Sequence, residues 1–500
     1  MSQSSFNPIP SRERAAQFTL RVASTPDGDA EVIGIAVGQD GAVPSELGLD
    51  RDQLAALSFK GEAGQTLLIP QDGSAPKVAV GVGSSGELDG ATLRDAAAAF
   101  GRATRSFSSA LLDLRAISGL SAEEAGRAAT EGLLLSRYFY HQLKSGPAPT
   151  TIAELVLIVE DNDVNQALAG AQKGRVLAEA TSLARDLSNT PPAYLTATRI
   201  AELAETLADE CDLVVETFDK VALQELGCGG LLGVNAGSIE PPRMVKMTYT
   251  PKEESHGHLA IVGKGVMYDS GGISLKPSNA SHATMKADMS GAGSTFAAMT
   301  ALSALGCPTR VTAYLMCTDN MPSGSALKLG DVLTIYGGKT VEVMNTDAEG
   351  RIVMADALVL ATEEKPDAIV DISTLTGACL MALGTLSAGV FGNDDNLVGQ
   401  IQDAADYTDE TVWQLPLDHR YRDQLDSDVA DLKNLGGEFA GATTAALFLH
   451  EFVGDTPWAH LDIAGPAFLS AEHTWRTKGA TGYGTRLLIE LANSFSSPKA

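Results

Sequence analysis

Along the first third of the chain, apolar runs of strand length alternate with alanine-rich stretches at helical spacing. EVIGIAV from Glu31, TLLI from Thr66, KVAVGV from Lys77, ALLDL from Ala110 and ELVLIV from Glu154 read as strands, with helices near 91–105 and 122–141. A longer helical pattern over 167–187 runs into Pro191 and Pro192, which cannot continue it. The alternation then resumes with DLVVETF from Asp212, RMVKMTYT from Arg243, HLAIVGKGV from His258, RVTAYLMCT from Arg310 and DAIVDIST from Asp367. Helical runs lie between them at 294–305 and 352–364. This order predicts an α/β protein of two domains, a smaller N-terminal α/β domain over 1–172 and a larger C-terminal domain over 173–500. The helix at 167–187 is the connector. The larger domain is expected to hold a mainly parallel, helix-covered central sheet, with ligands beyond the carboxyl ends of its strands.

Length and composition agree with that division. A chain of 500 residues exceeds one ordinary core, and 44% hydrophobic with 20% charged residues marks a globular protein without a disorder signature. The formal net charge of −27 repels a phosphate backbone and argues against nucleic acid as a partner. The opening MSQSSFNPIPSRERAAQF has no apolar leader core, and no segment has a bilayer-spanning apolar run, so a cytoplasmic protein without a membrane partner is expected. Cys211, Cys228, Cys307, Cys317 and Cys379 are widely spaced without a C-x-x-C pair, which suits buried reduced thiols.

One local motif suggests nucleotide chemistry. Gly81, Gly83 and Gly86 form G-x-G-x-x-G between a strand and a helix, the context of a dinucleotide fingerprint. Glycine is 50 of 500 residues, however, and Ser84, Ser85 and Asp89 suit a plain turn and helix cap. No clear strand-terminal acid follows to hold a ribose.

Two segments carry denser chemistry. VEVMNTDAEGR, residues 341–351, sets Asn345, Asp347, Glu349 and Arg351 at alternate positions, which on an extended strand end or loop would share one face. The second, residues 261–294, leads from an apolar strand into Lys264, Asp269, Ser270, Gly271 and Gly272, then Lys276 and Asp288. A serine nucleophile at Ser270 lacks the G-x-S-x-G elbow, and Gly-Lys-Gly lacks the hydroxyl of a P-loop. A two-metal site needs bridging as well as terminal carboxylates, and Asp269, Asp288, Asp347 and Glu349 supply four. No H-E-x-x-H or paired cysteines suggest a single zinc, and His282 reads as a solvated loop residue. With 63 acidic residues, a solvated acidic face is the competing explanation, and spacing alone leaves both open.

GKGVMYDSGGISLKP, MKADMSG and above all NTDAEGR resemble the leucyl aminopeptidase (cytosol aminopeptidase) family of two-metal exopeptidases. The likeness continues through ARDLSNTPP, DISTLTGA, SDVADLKNLGG, AGATTAALFLHEF, WAHLDIAGP and GATGYGTRLL, while the N-terminal third matches only in general character. The resemblance implies two divalent ions per subunit, manganese or zinc. One would be held by Lys264, Asp269, Asp288 and Glu349, the other by Asp269, Asp347 and Glu349. It implies Lys276 and Arg351 as catalytic residues, the latter with a bicarbonate ion, and attack by a water bridging the two metals. Peptides with a free N-terminus would lose leucine or another apolar residue, from a homohexamer whose N-terminal domain is variable. Met285, Thr376 and Gly377 are candidates for the side-chain pocket. Tyr268 and Met267 stand where the family usually has phenylalanine and threonine. The alternative is a non-catalytic nucleotide- or DNA-binding protein using the N-terminal domain.

Overall fold

Contiguous apolar strands must be covered on both faces, and the chain meets that demand in two separate α/β units. The computed structural model describes residues 6–26 and 30–498. The first five residues of the segment read for a leader lie outside them. Among the described residues, contacts group Ile9–Ser182 with Ser470–Lys478, and Leu183–Leu469 with residues 6–8 and 479–498. The helix Val164–Asn189 stops before the two prolines, as its pattern predicts. Among the described residues no helix is long and apolar enough to cross a membrane.

The N-terminal unit contains β1 (Thr19–Ala23), β2 (Val32–Val37), β3 (Thr66–Ile69), β4 (Lys77–Gly81), β5 (Ser109–Asp113) and β6 (Glu154–Ile158). Their order is β1-β6-β5-β2-β4-β3, parallel except for β3 against β4. Val32, Val78, Val80, Leu112 and Leu155 pack with Leu93, Phe100 and Leu133 of the helices Gly90–Ala103 and Ala122–Ser136. The glycine-rich turn after β4 is closed by the protein itself. Ser85 donates from N and Oγ to the Asp40 carboxylate at 3.1 and 2.9 Å, and Asp89 caps the following helix through Thr92 N at 2.8 Å. An internal carboxylate thus takes donors that a phosphate would need.

The larger unit contains β7 (Leu213–Phe218), β8 (Arg243–Tyr249), β9 (His258–Asp269), β10 (Arg310–Asn320), β11 (Val332–Thr334), β12 (Thr340–Glu342), β13 (Ala368–Ser373), β14 (Ala388–Gly392), β15 (Val412–Gln414), β16 (Leu432–Lys433) and β17 (Trp458–Asp462). The central sheet runs β15-β14-β17-β13-β9-β10-β8-β7, and β11, β12 and β16 form a small separate sheet. β9 lies at the centre, parallel to both β13 and β10. Ala260 and Val262 of β9 join the core of the helix Glu349–Glu363, whereas Gly263 lies against Ala292 of the helix Ser290–Ala301. Alternation therefore sends Lys264 toward the first of these helices.

Lys264 and Asp269 are an odd number of residues apart, so a regular strand would place them on opposite faces. The pairing of β9 with β10 slips between Thr318 and Asp319: Val266 pairs with Thr318, Tyr268 pairs with Asp319, and Met267 is left over. This bulge reverses the alternation and brings Asp269 to the side of Lys264. Residues 345–351 do not form one extended ladder, because β12 ends at Glu342 and Glu349 opens a helix. Asp347 sits in the loop and Arg351 in the first helical turn.

Candidate active site

The central strand, the helix Glu349–Glu363 and the loops after β9 and β12 bring four carboxylates and two ammonium groups together. Lys264 is 3% exposed and places Nζ 2.8 Å from Asp288 Oδ2, 2.9 Å from Glu349 Oε1 and 3.0 Å from the Thr374 carbonyl. Lys276 places Nζ 2.8 Å from Asp269 Oδ2 and 2.7 Å from Asp347 Oδ1. Two glycines admit this density. A Cβ on Gly350 would stand 2.7 Å from Lys264 Nζ, and one on Gly271, whose φ is +88°, would stand 2.8 Å from Asp347 Oδ1.

The electrostatics show an excess of buried negative charge. Burial pushes the Glu349 and Asp288 carboxyls up, and Asp269 adds to both; Asp347 is raised for the same two reasons. Burial alone would lower Lys264 and Lys276, but the surrounding carboxylates outweigh it and raise both. Asp288 Oδ2, Asp347 Oδ1 and Glu349 Oε1 lie at ion-pair range of an ammonium yet have no aligned hydrogen bond. Ligand oxygens of Asp269, Asp347 and Glu349 lie within 4.8 Å of one another. Crowded, under-neutralised hard oxygen donors fit divalent cations, so the residues present pass the test for a metal site.

Neighbouring groups orient these carboxylates. Asp269 Oδ1 accepts from Gly271 N at 2.9 Å and Asn320 Nδ2 at 2.8 Å, and Asp288 Oδ1 accepts from Thr374 Oγ1 at 2.8 Å. Asn345 Oδ1 accepts from Asp347 N at 2.8 Å, so Asn345 shapes the loop. Arg351 donates from Nη1 to the Asn434 carbonyl at 2.9 Å; its Nε is buried without a partner, and burial holds the guanidinium down at about 10. Ser270 is committed structurally, its Oγ donating to the Asn320 carbonyl at 2.7 Å. His282 is not simply solvated, since its ring lies 6.1 Å from Tyr268 and its Nε2 is buried without a partner.

All seven charged residues singled out in the sequence meet in this region. All but Arg351 line a cleft of about 380 Å³, together with Met285, Thr376, Gly377, Leu380, Ala464 and Phe468. Asn320, Thr374, Asn434 and Asp462 were not anticipated. Asp462 joins two cleft loops, accepting from Thr376 Oγ1 at 2.6 Å and from Ala464 N at 3.2 Å. Only SDVADLKNLGG and WAHLDIAGP, read as general likeness, pointed to the last two. The five cysteines are buried free thiols.

Residues 182–489 match the catalytic domain of the cytosol aminopeptidase family, and 48–147 match its N-terminal domain. A probable cytosol aminopeptidase of Streptomyces avermitilis is 43% identical over 500 residues, covering 96% of each chain. One from Alkaliphilus metalliredigens is 41% identical over 457 residues, covering 89% of this chain and 91% of its own. Among solved structures, the bottromycin maturation enzyme BotP in complex with Mn superposes with a TM-score of 0.85 at 39% identity, covering 93% of this chain and 99% of its own.

Proposed function

Because the chain belongs to the cytosol aminopeptidase family, we propose that it is a metal-dependent aminopeptidase removing leucine and other apolar residues from the free N-terminus of peptides. The observation that carries this reading is the cluster of buried Asp269, Asp288 and Glu349 with partly exposed Asp347, with more carboxylate than ammonium charge. Lys264, Asp269, Asp288 and Glu349 would hold one divalent ion, and Asp269, Asp347 and Glu349 the other. The Mn in the BotP structure supports manganese, and the oxygen-rich donor set also admits zinc. Two such ions supply Lewis acidity toward a scissile carbonyl and make water acidic enough to serve as nucleophile near neutral pH.

The chain's own groups complete the chemistry. Lys264 must give up its proton to donate a lone pair, and adjacent divalent charge favours its neutral form. Lys276, raised and therefore charged, would place positive charge beside the oxygen that becomes anionic during attack. Arg351 would hold a bicarbonate, the proton carrier. Its buried, unpartnered Nε supports an anion there, while a guanidinium is too basic to act as the base itself. The substrate's α-amino group would be registered on the Lys264 side, which limits cleavage to the first peptide bond. Met285, Thr376, Gly377 and Leu380 would receive the first side chain. We further assign the chain to a cytoplasmic homohexamer with residues 1–172 as the variable assembly domain and 173–500 as the catalytic domain.

Chelation tests the reading. Mn²⁺-loaded protein is expected to hydrolyse leucine anilide and leucyl dipeptides, to fall to background after chelator treatment, and to recover when metal is restored. Metal at about 100 times its Kd would also add about 2.7 kcal/mol of stability, visible as a raised Tm. Turnover unaffected by chelation, or none with metal bound, would remove the assignment.

A further inference from the structure

Residues 343–348 are neither strand nor helix, so their backbone groups need partners from elsewhere, yet they carry Asp347 into the site and lead to Glu349. Asn434 supplies several of those partners. It follows β16 directly and continues the ladder by donating from N to the Glu342 carbonyl at 3.0 Å. Its side chain is wholly buried. Oδ1 accepts from Met344 N at 2.8 Å and from Asn345 N at 3.4 Å, and Nδ2 donates to the carbonyls of Asn345 at 2.7 Å and Ala348 at 3.2 Å. Its own carbonyl accepts from Arg351 Nη1 at 2.9 Å.

One residue therefore fixes both ends of the loop holding Asp347 and anchors the guanidinium one helical turn later. We propose that Asn434 is a positioning residue for the aminopeptidase reaction, setting the relative placement of Asp347, Glu349 and Arg351; this rests on the function inferred above. Asparagine suits the task because one amide both donates and accepts, whereas aspartate could only accept at neutral pH. Residues that orient metal ligands in this way commonly contribute about 10–100-fold in activity or metal affinity.

The test compares Asn434→Ala and Asn434→Ser with Thr340→Val, which removes two hydrogen bonds in the same small sheet, Thr340 Oγ1 donating to Asp431 Oδ2 at 2.8 Å and accepting from Asp431 N at 3.0 Å, but none made by Asn434. Each folded protein is assayed for kcat and KM on leucine anilide and for Mn²⁺ affinity by calorimetry. Both Asn434 variants are expected to lose about 10–100-fold in kcat and about tenfold in Mn²⁺ affinity, with KM held within about twofold. Thr340→Val is expected to keep kcat and Mn²⁺ affinity. Wild-type values in the Asn434 variants, or equal losses in Thr340→Val, would overturn the proposal. If wild-type protein binds Mn²⁺ but turns over no peptide, the function reading fails, and the affinity series still decides the role of Asn434.

Discussion

Glu349→Gln is expected to lower kcat on leucyl substrates by at least about 100-fold and to reduce bound metal, while the folded chain survives. Glu349 is 2% exposed and opens the helix whose first turn faces β9, so glutamine fits the same space. Burial and Asp269 both disfavour its charged state, so an uncharged isostere is expected to leave the metal-free fold intact. On the proposed function the carboxylate serves to bind positive charge. Steady-state kinetics, metal content and Tm on the same preparation separate these effects. A variant with full turnover and full metal content would remove Glu349 from the site.

Lys276→Ala gives the opposite pattern in metal content. Lys276 holds Asp269 and Asp347 by ion pairs but would not itself bind an ion, so the variant should retain or increase its metal. It should lose about 10²–10³-fold in kcat, the usual consequence of removing one stabilising group from a developing oxyanion, with a smaller change in KM. Equal kcat in wild type and variant would leave Lys276 as a structural counter-ion only.

The alternation of strands and helices was legible because strands are short apolar or alternating runs, and β2 to β10 lie where those runs occur. β17 was not, since WAHLD carries His460 and Asp462. Both are buried: His460 pairs with Asp371 at 2.5 Å, and Asp462 binds Thr376, so polar letters concealed a core strand. β1, TLRVA, lies at the sheet edge and breaks its apolar letters with Arg21, so it does not stand out.

In the site, the acidic residues and glycines were readable as a cluster, but their relation in space was not. Lys264 looks like a surface lysine until the β9 register places it beneath a helix. A one-residue bulge at Met267, invisible to alternation, puts Asp269 beside it. The reading of 345–351 as one extended face joined the right residues through the wrong geometry. Asn320 and Asn434 act across 51 residues to Asp269 and 89 to Asn345, and no local pattern encodes such contacts.

On the proposed function, the cluster cleaves only the first peptide bond of a chain with a free α-amino group. Mass spectrometry of a leucine-initiated pentapeptide incubated with Mn²⁺-loaded protein, beside the same peptide acetylated at its N-terminus, tests it most directly. Stepwise loss of single residues is expected from the free peptide and none from the acetylated one. Internal cleavage, or equal cleavage of both peptides, would contradict it.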